Sequence, residues 1–102
     1  MIILYVVSTL KRCGPTNQLF GLIKNLDRSR FTPVVLTLSP EPSESRWDDF
    51  VALGIDVQSL RLGRVAGVLR GRQALRARLA VIKPVLIHSQ GIRADSLCVW
   101  AV

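Results

Sequence analysis

The sequence predicts an α/β domain: a Rossmann-like parallel sheet of about four strands alternating with helices. Three observations predict it. The apolar runs Ile2–Val7, Val34–Leu38 and Val85–Ile87 are short, largely β-branched and free of charge, as strands buried on both faces must be. Between them lie stretches with apolar residues at three- and four-residue spacing, the pattern of amphipathic helices. Gly, Pro and Ser punctuate the changes of pattern, and strands alternating with helices close through right-handed crossovers.

A first strand is expected near residues 2–8 and a first helix near 15–26. Pro15 suits a first helical turn, where its missing N–H costs nothing. Leu19, Leu22, Ile23 and Leu26 follow at helical spacing. Asp27-Arg28-Ser29-Arg30 is a polar turn into the second strand, Val34–Leu38, which Phe31 and Pro33 open. Ser39-Pro40-Glu41-Pro42-Ser43 is a loop. Ser43 or Ser45 is the expected cap of a short helix through Trp47, Phe50 and Leu53, ended by Gly54. Ile55–Leu60 alternates and reads as a third, partly exposed strand. Residues 65–82 carry Val65, Val68, Leu69, Leu75, Leu79 and Ile82 on one helical stripe, with Arg64, Arg72, Arg76 and Arg78 mainly off it. Pro84 ends that helix. Val85-Leu86-Ile87 is a fourth short strand, followed by His88-Ser89-Gln90-Gly91. A last helix is expected from Ile92 to Val102, and its uncapped apolar end suggests that more sheet follows.

A chain of 102 residues holds one domain, and 49% apolar residues place it among globular rather than disordered chains. A formal charge of +7 favours anionic partners: phosphorylated ligands, anionic lipid or nucleic acid. Nucleic acid is disfavoured, because the arginines lack interleaved aromatics. Arg61, Arg64, Arg70, Arg72, Arg76, Arg78 and Lys83 read either as a solvated face or as a surface for anionic lipid. Two cysteines are too few for a disulfide framework and suit a reducing compartment. The first apolar run has no preceding basic residue or cleavage site and is far too short to span a bilayer. A cytoplasmic location is therefore expected, with the option of peripheral contact at the inner face of the membrane.

Several chemistries are excluded. Gly14 stands alone between first strand and first helix, so no dinucleotide fingerprint is met, and no Gly-Lys-Ser/Thr loop occurs. One histidine and the distant Cys13 and Cys98 make no metal set. Ser89, His88 and Asp95 lack a nucleophile elbow. What remains is a helix start at the carboxyl end of a sheet, where unpaired N–H groups attract phosphates. Gly14, Pro15, Thr16 and Asn17 form that loop. Gly14 either admits a phosphate to the backbone or simply turns the chain. Thr16, Asn17 and Gln18 either bind a ligand or cap the helix. His88, Gln90, Gly91 and Arg93 share the same edge of the sheet. His88 either contacts a ligand or packs under a loop. Arg93 either holds an acidic group or is solvated. Cys13, beside a helix start, either has a depressed thiol pKa or, lacking a partner base, is a bland small residue, and the second reading is preferred. Trp47 and Phe50 read as helix-packing residues.

Cys13-Gly14-Pro15-Thr16-Asn17-Gln18-Leu19, after an apolar strand, resembles the loop that opens the N-terminal domain of family 4 glycosyltransferases. Asn25-Leu26-Asp27-Arg28-Ser29-Arg30-Phe31 looks like that family's link into the second strand, and Leu53-Gly54-Ile55-Asp56-Val57 its lead into the third. Lys83-Pro84-Val85-Leu86-Ile87-His88-Ser89-Gln90-Gly91 is similar to its Pro-Asp-hydrophobic-His segment. The resemblance covers nearly the whole chain in the right order. It implies part of a GT-B enzyme, in which two Rossmann-like domains enclose the active site. This chain would be roughly the first half of the N-terminal, acceptor-side domain. The C-terminal donor-binding domain has no candidate here, so the chain alone is expected to be inactive.

The implied reaction is retaining transfer of a hexose from a nucleotide-sugar to a glycan or lipid-linked acceptor in polysaccharide biosynthesis. No cofactor is implied beyond the nucleotide-sugar substrate. Gly14, Pro15, Thr16 and Asn17 would face the donor phosphates; His88, Gln90, Gly91 and Arg93 would face the acceptor. Two departures stand out. Cys13 occupies the place of the commoner first glycine. The family's His-x-His reads His88-Ser89-Gln90, and an amide takes no proton at neutral pH. The alternative is a stand-alone phosphate-ligand binding or interaction module without catalysis.

Overall fold

The computed structural model describes residues 1–40, 42–62 and 68–90. Its elements run β1 (Ile2–Val7), α1 (Gly14–Lys24), β2 (Thr32–Thr37), α2 (Trp47–Ala52), β3 (Asp56–Ser59), α3 (Val68–Ile82) and β4 (Leu86–Gln90). The four described strands form one parallel sheet in the order β3-β2-β1-β4. The α/β parallel architecture expected from the sequence is therefore present.

Burial explains the arrangement. Every residue of β1 from Ile3 to Val7 is buried, as is β2 from Pro33 to Thr37. Strands with two apolar faces need a layer on each side. One face (Ile3, Tyr5, Val7, Val35) packs against Leu19 and Ile23 of α1 and Phe50 of α2. The other (Leu4, Val6, Val34, Leu36) packs against Leu75, with Leu79 and Ile82, of α3. The layering follows from handedness. The chain steps one way from β1 to β3, then crosses back to β4, so right-handed crossovers put α3 on the opposite face.

The structure corrects several boundaries and side-chain assignments. α1 begins at Gly14 and buries Thr16, Leu19 and Ile23; Leu22 lies off that stripe, half exposed. Arg46, not Ser43 or Ser45, takes the N-cap position of α2, although Ser45 Oγ accepts the Trp47 N–H at 3.0 Å. Gly54 follows that helix at φ +77°, a conformation that favours glycine. β3 spans Asp56–Ser59. α3 is described from Val68, and the expected start at Val65 lies outside the described residues, as do Gly91, Arg93 and the helix expected over 92–102. Arg61 and Lys83 flank α3 rather than belong to it. Lys83 ends the helix at φ +51°, its N–H bonded to the Leu79 carbonyl, with Pro84 next.

The largest correction concerns β4. It does not stop at Ile87 but runs through His88, Ser89 and Gln90, paired in register with Tyr5, Val6 and Val7. No helix among the described residues is long and apolar enough to cross a membrane.

Candidate functional site

Strand order places the site. The sheet grows from β1 toward β2 and β3 on one side and toward β4 on the other. Where the order reverses, the loops leaving neighbouring strands diverge and open a crevice beyond the carboxyl ends. Here that point lies between β1 and β4. A cavity of about 250 Å³ sits beside it. Val7, Ser8 and Thr9 at the exit of β1 form one wall; Cys13, Pro15, Thr16 and Leu19 at the start of α1 form the other.

The loop between them is held firmly. Its backbone pairs antiparallel with the loop after β2, Lys11 opposite Ser45. The Arg12 N–H donates to the Glu44 carbonyl at 3.0 Å and the Arg46 N–H to the Leu10 carbonyl at 2.8 Å. Leu10 is fully buried and anchors the loop.

The first turn of α1 offers few amides. Pro15 has no N–H, and the Asn17 N–H is taken by the Cys13 carbonyl at 3.0 Å. Gly14 remains; the Thr16 amide is turned to the Cys13 sulfur. Thr16 is 5% exposed, and its hydroxyl lies 3.5 Å from Cys13 Sγ. That hydroxyl, then the Thr16 amide, pulls the exposed Cys13 thiol below its ordinary pKa; slight burial opposes them and the Lys11 charge adds to them. A larger thiolate fraction at neutral pH follows. Thr16→Val removes the strongest of these influences, so alkylation of Cys13 by iodoacetamide at pH 7 slows several-fold and its pH midpoint rises. Peptide-resolved mass spectrometry reads Cys13 separately; an unchanged rate would refute the coupling.

The other expected residues divide. Gly14 opens α1 but does not line the cavity, its φ is not positive, and a Cβ built on it meets nothing within 4 Å. The fold therefore places no demand on glycine there. Asn17 turns away to accept a hydrogen bond from Arg46 at 3.0 Å. Gln90 pairs in register with Val7, so its backbone reaches the crevice. His88 lies two residues further back, paired with Tyr5, its exposed ring tilted against the phenol at 5.4 Å between centroids. Burial raises the Tyr5 pKa, which leaves His88 beside a neutral ring at physiological pH.

A second cavity, of about 420 Å³, opens beyond β2 and β3 and is lined by Pro40, Trp47, Ser59 and Arg61. Sequence reasoning missed it. Trp47 has the spacing of a core residue, and it does pack on the core; it also faces this cavity. Arg61 adopts φ +49°, at a cost of about 1–2 kcal/mol for a residue with a Cβ. Nothing local in the sequence announces that conformation. Among the described residues there is no metal-ligating cluster.

Compared with protein-family models, curated proteins and solved structures, the chain shows no match.

Proposed function

We propose that this chain forms part of a glycosyltransferase that moves a sugar from a nucleotide-sugar to a glycan or lipid-linked acceptor. The observation that carries the reading is the cavity at the reversal of strand order, walled by the exit of β1 and the first turn of α1. A helix start favours an anion by about 0.3–1 kcal/mol when exposed, so it contributes to phosphate binding without sufficing. A volume of about 250 Å³ suits a diphosphate or one sugar ring, not a whole nucleotide-sugar. The rest of the donor is then held elsewhere, as in the two-domain GT-B arrangement that the sequence resembles. Exposed Arg70, Arg76 and Lys83 on and beside α3 would suit an anionic membrane carrying a lipid-linked acceptor.

The test is a chemical-shift titration of this chain with UDP-glucose and ADP-glucose. The expected result is movement of the Gly14 and Thr16 amides, with affinity at least tenfold weaker in Gly14→Val. That variant is expected to keep its fold, because a Cβ there has open space and the backbone needs no positive φ; its melting curve checks this. Equal affinity in Gly14→Val would refute close approach of the diphosphate. No shift at α1 with any nucleotide-sugar would remove the donor reading. Binding of inorganic phosphate equal to that of both sugar nucleotides would favour a phosphate-ligand module.

A further inference from the structure

We infer that the cavity lined by Pro40, Trp47, Ser59 and Arg61 is a binding site for a ring-shaped anion, a pyranose-sized ring carrying a carboxylate or phosphate. The inference stands apart from sugar transfer and from the crevice beside α1.

Its basis is how Arg61 is held. Beyond β3 the chain stays pinned to the end of β2: the Leu60 N–H donates to the Thr37 carbonyl at 2.9 Å and the Leu62 N–H to the Leu38 carbonyl at 2.7 Å. Leu62 is buried. Arg61 lies between these two anchored residues at φ +49° and remains exposed. Ser59 fixes the turn, its hydroxyl accepting the Arg61 N–H at 3.1 Å while donating to the Ser39 carbonyl at 3.4 Å. Glycine would take this backbone without strain, so the site holds a cationic side chain where the backbone disfavours one. A strained residue at a cavity wall points to a use for its side chain. Arg61 has no carboxylate partner among the described residues, and the described lining carries no acid.

The opposite character comes from Trp47. It starts α2, its N–H is held by Ser45, and its half-buried ring packs on the core while lining the cavity. An indole face stacks on the C–H faces of a sugar ring, and a guanidinium grips a carboxylate or phosphate in two parallel hydrogen bonds. A volume of about 420 Å³ lies in the range of small-molecule sites. One further polar group is nearby. Thr37 pairs in register with Ser59 on the same face; it is fully buried, and its hydroxyl has no hydrogen-bond partner. An orphan buried hydroxyl one strand from the wall suits a bound water.

The experiment titrates the chain with glucuronate, glucose 6-phosphate, glucose and inorganic phosphate. It follows the Trp47 indole resonance, assigned through Trp47→Phe. Saturable shifts with glucuronate, glucose 6-phosphate or both, at least tenfold tighter than with glucose, support the site and identify which anion it takes. Arg61→Gly separates binding from folding. It relieves the positive φ and raises Tm, yet weakens the anionic sugar at least tenfold. Unchanged affinity in Arg61→Gly, or glucose binding as well as the anions, would each overturn the inference. So would a silent indole with all four probes.

Discussion

Phe50→Ala is expected to destabilise the chain by about 3–5 kcal/mol, the usual cost of emptying a phenylalanine site that neighbours cannot fill. Phe50 is fully buried, and its ring meets Phe20 of α1 edge-on at 5.4 Å. Helix α2 has six residues, too few to form without packing. Phe50 is its fully buried residue, so its loss removes a side chain and also loosens the helix. Single domains hold about 5–15 kcal/mol in total, so this one change takes a large share. Urea and thermal melts should show Tm falling by roughly 15 °C or more, with Phe50→Leu recovering most of it. A cost below about 1 kcal/mol would show that α2 is not docked through Phe50. The consequence reaches both cavities. Trp47 lies one turn before Phe50, and Arg46 precedes it on the strut to α1.

The architecture was legible because burial writes itself as periodicity. β1 and β2 are apolar on both faces, and only a sandwiched parallel sheet suits such runs. The end of β4 was not legible. His88-Ser89-Gln90 has no strand propensity of note; pairing with Tyr5, Val6 and Val7 makes it a strand, and that is information from a distant part of the chain. Leu22 shows the limit of spacing. Its place at helical distance from Leu19 and Leu26 is real, yet the sheet lies on the side defined by Thr16, Leu19 and Ile23.

The crevice beside α1 was half legible. The strand-to-helix switch marked it, and Pro15 and Thr16 do line a cavity there. In the sequence Gly14 looks like a conformational requirement, although neither its φ nor its surroundings need a glycine. The second cavity was illegible for a different reason. Its parts are a tryptophan that also packs on the core and an arginine whose positive φ arises from hydrogen bonds to β2. Each looks ordinary by itself. Only the sheet brings them together.

Arg46, at the N-cap of α2, is a second tie to α1, and Arg46→Ala is expected to cost about 2 kcal/mol. Its side chain, 16% exposed, makes three different contacts. Nε donates to Asp49 at 3.0 Å, Nη1 donates to the Asn17 carboxamide oxygen at 3.0 Å, and the guanidinium plane lies 4.0 Å from the Phe20 ring centroid. Asp49 is 42% exposed and is also approached by Arg12 at 3.7 Å, so the ion pair is screened and contributes well under 1 kcal/mol. Most of the effect must then come from the guanidinium over the Phe20 ring and the bond to Asn17. That division is testable with salt and with lysine. Screening by 1 M NaCl should leave more than half of the Arg46→Ala loss in place. Arg46→Lys should recover less than half, because an ammonium has neither the flat face for Phe20 nor a fork that reaches Asn17 and Asp49 at once. Urea melts at low and high salt decide it. Lysine matching arginine would mean that charge alone matters at this position. A lysine variant that stays unstable would mean that the first turn of α1 is held beside its cavity by the planar geometry of one side chain.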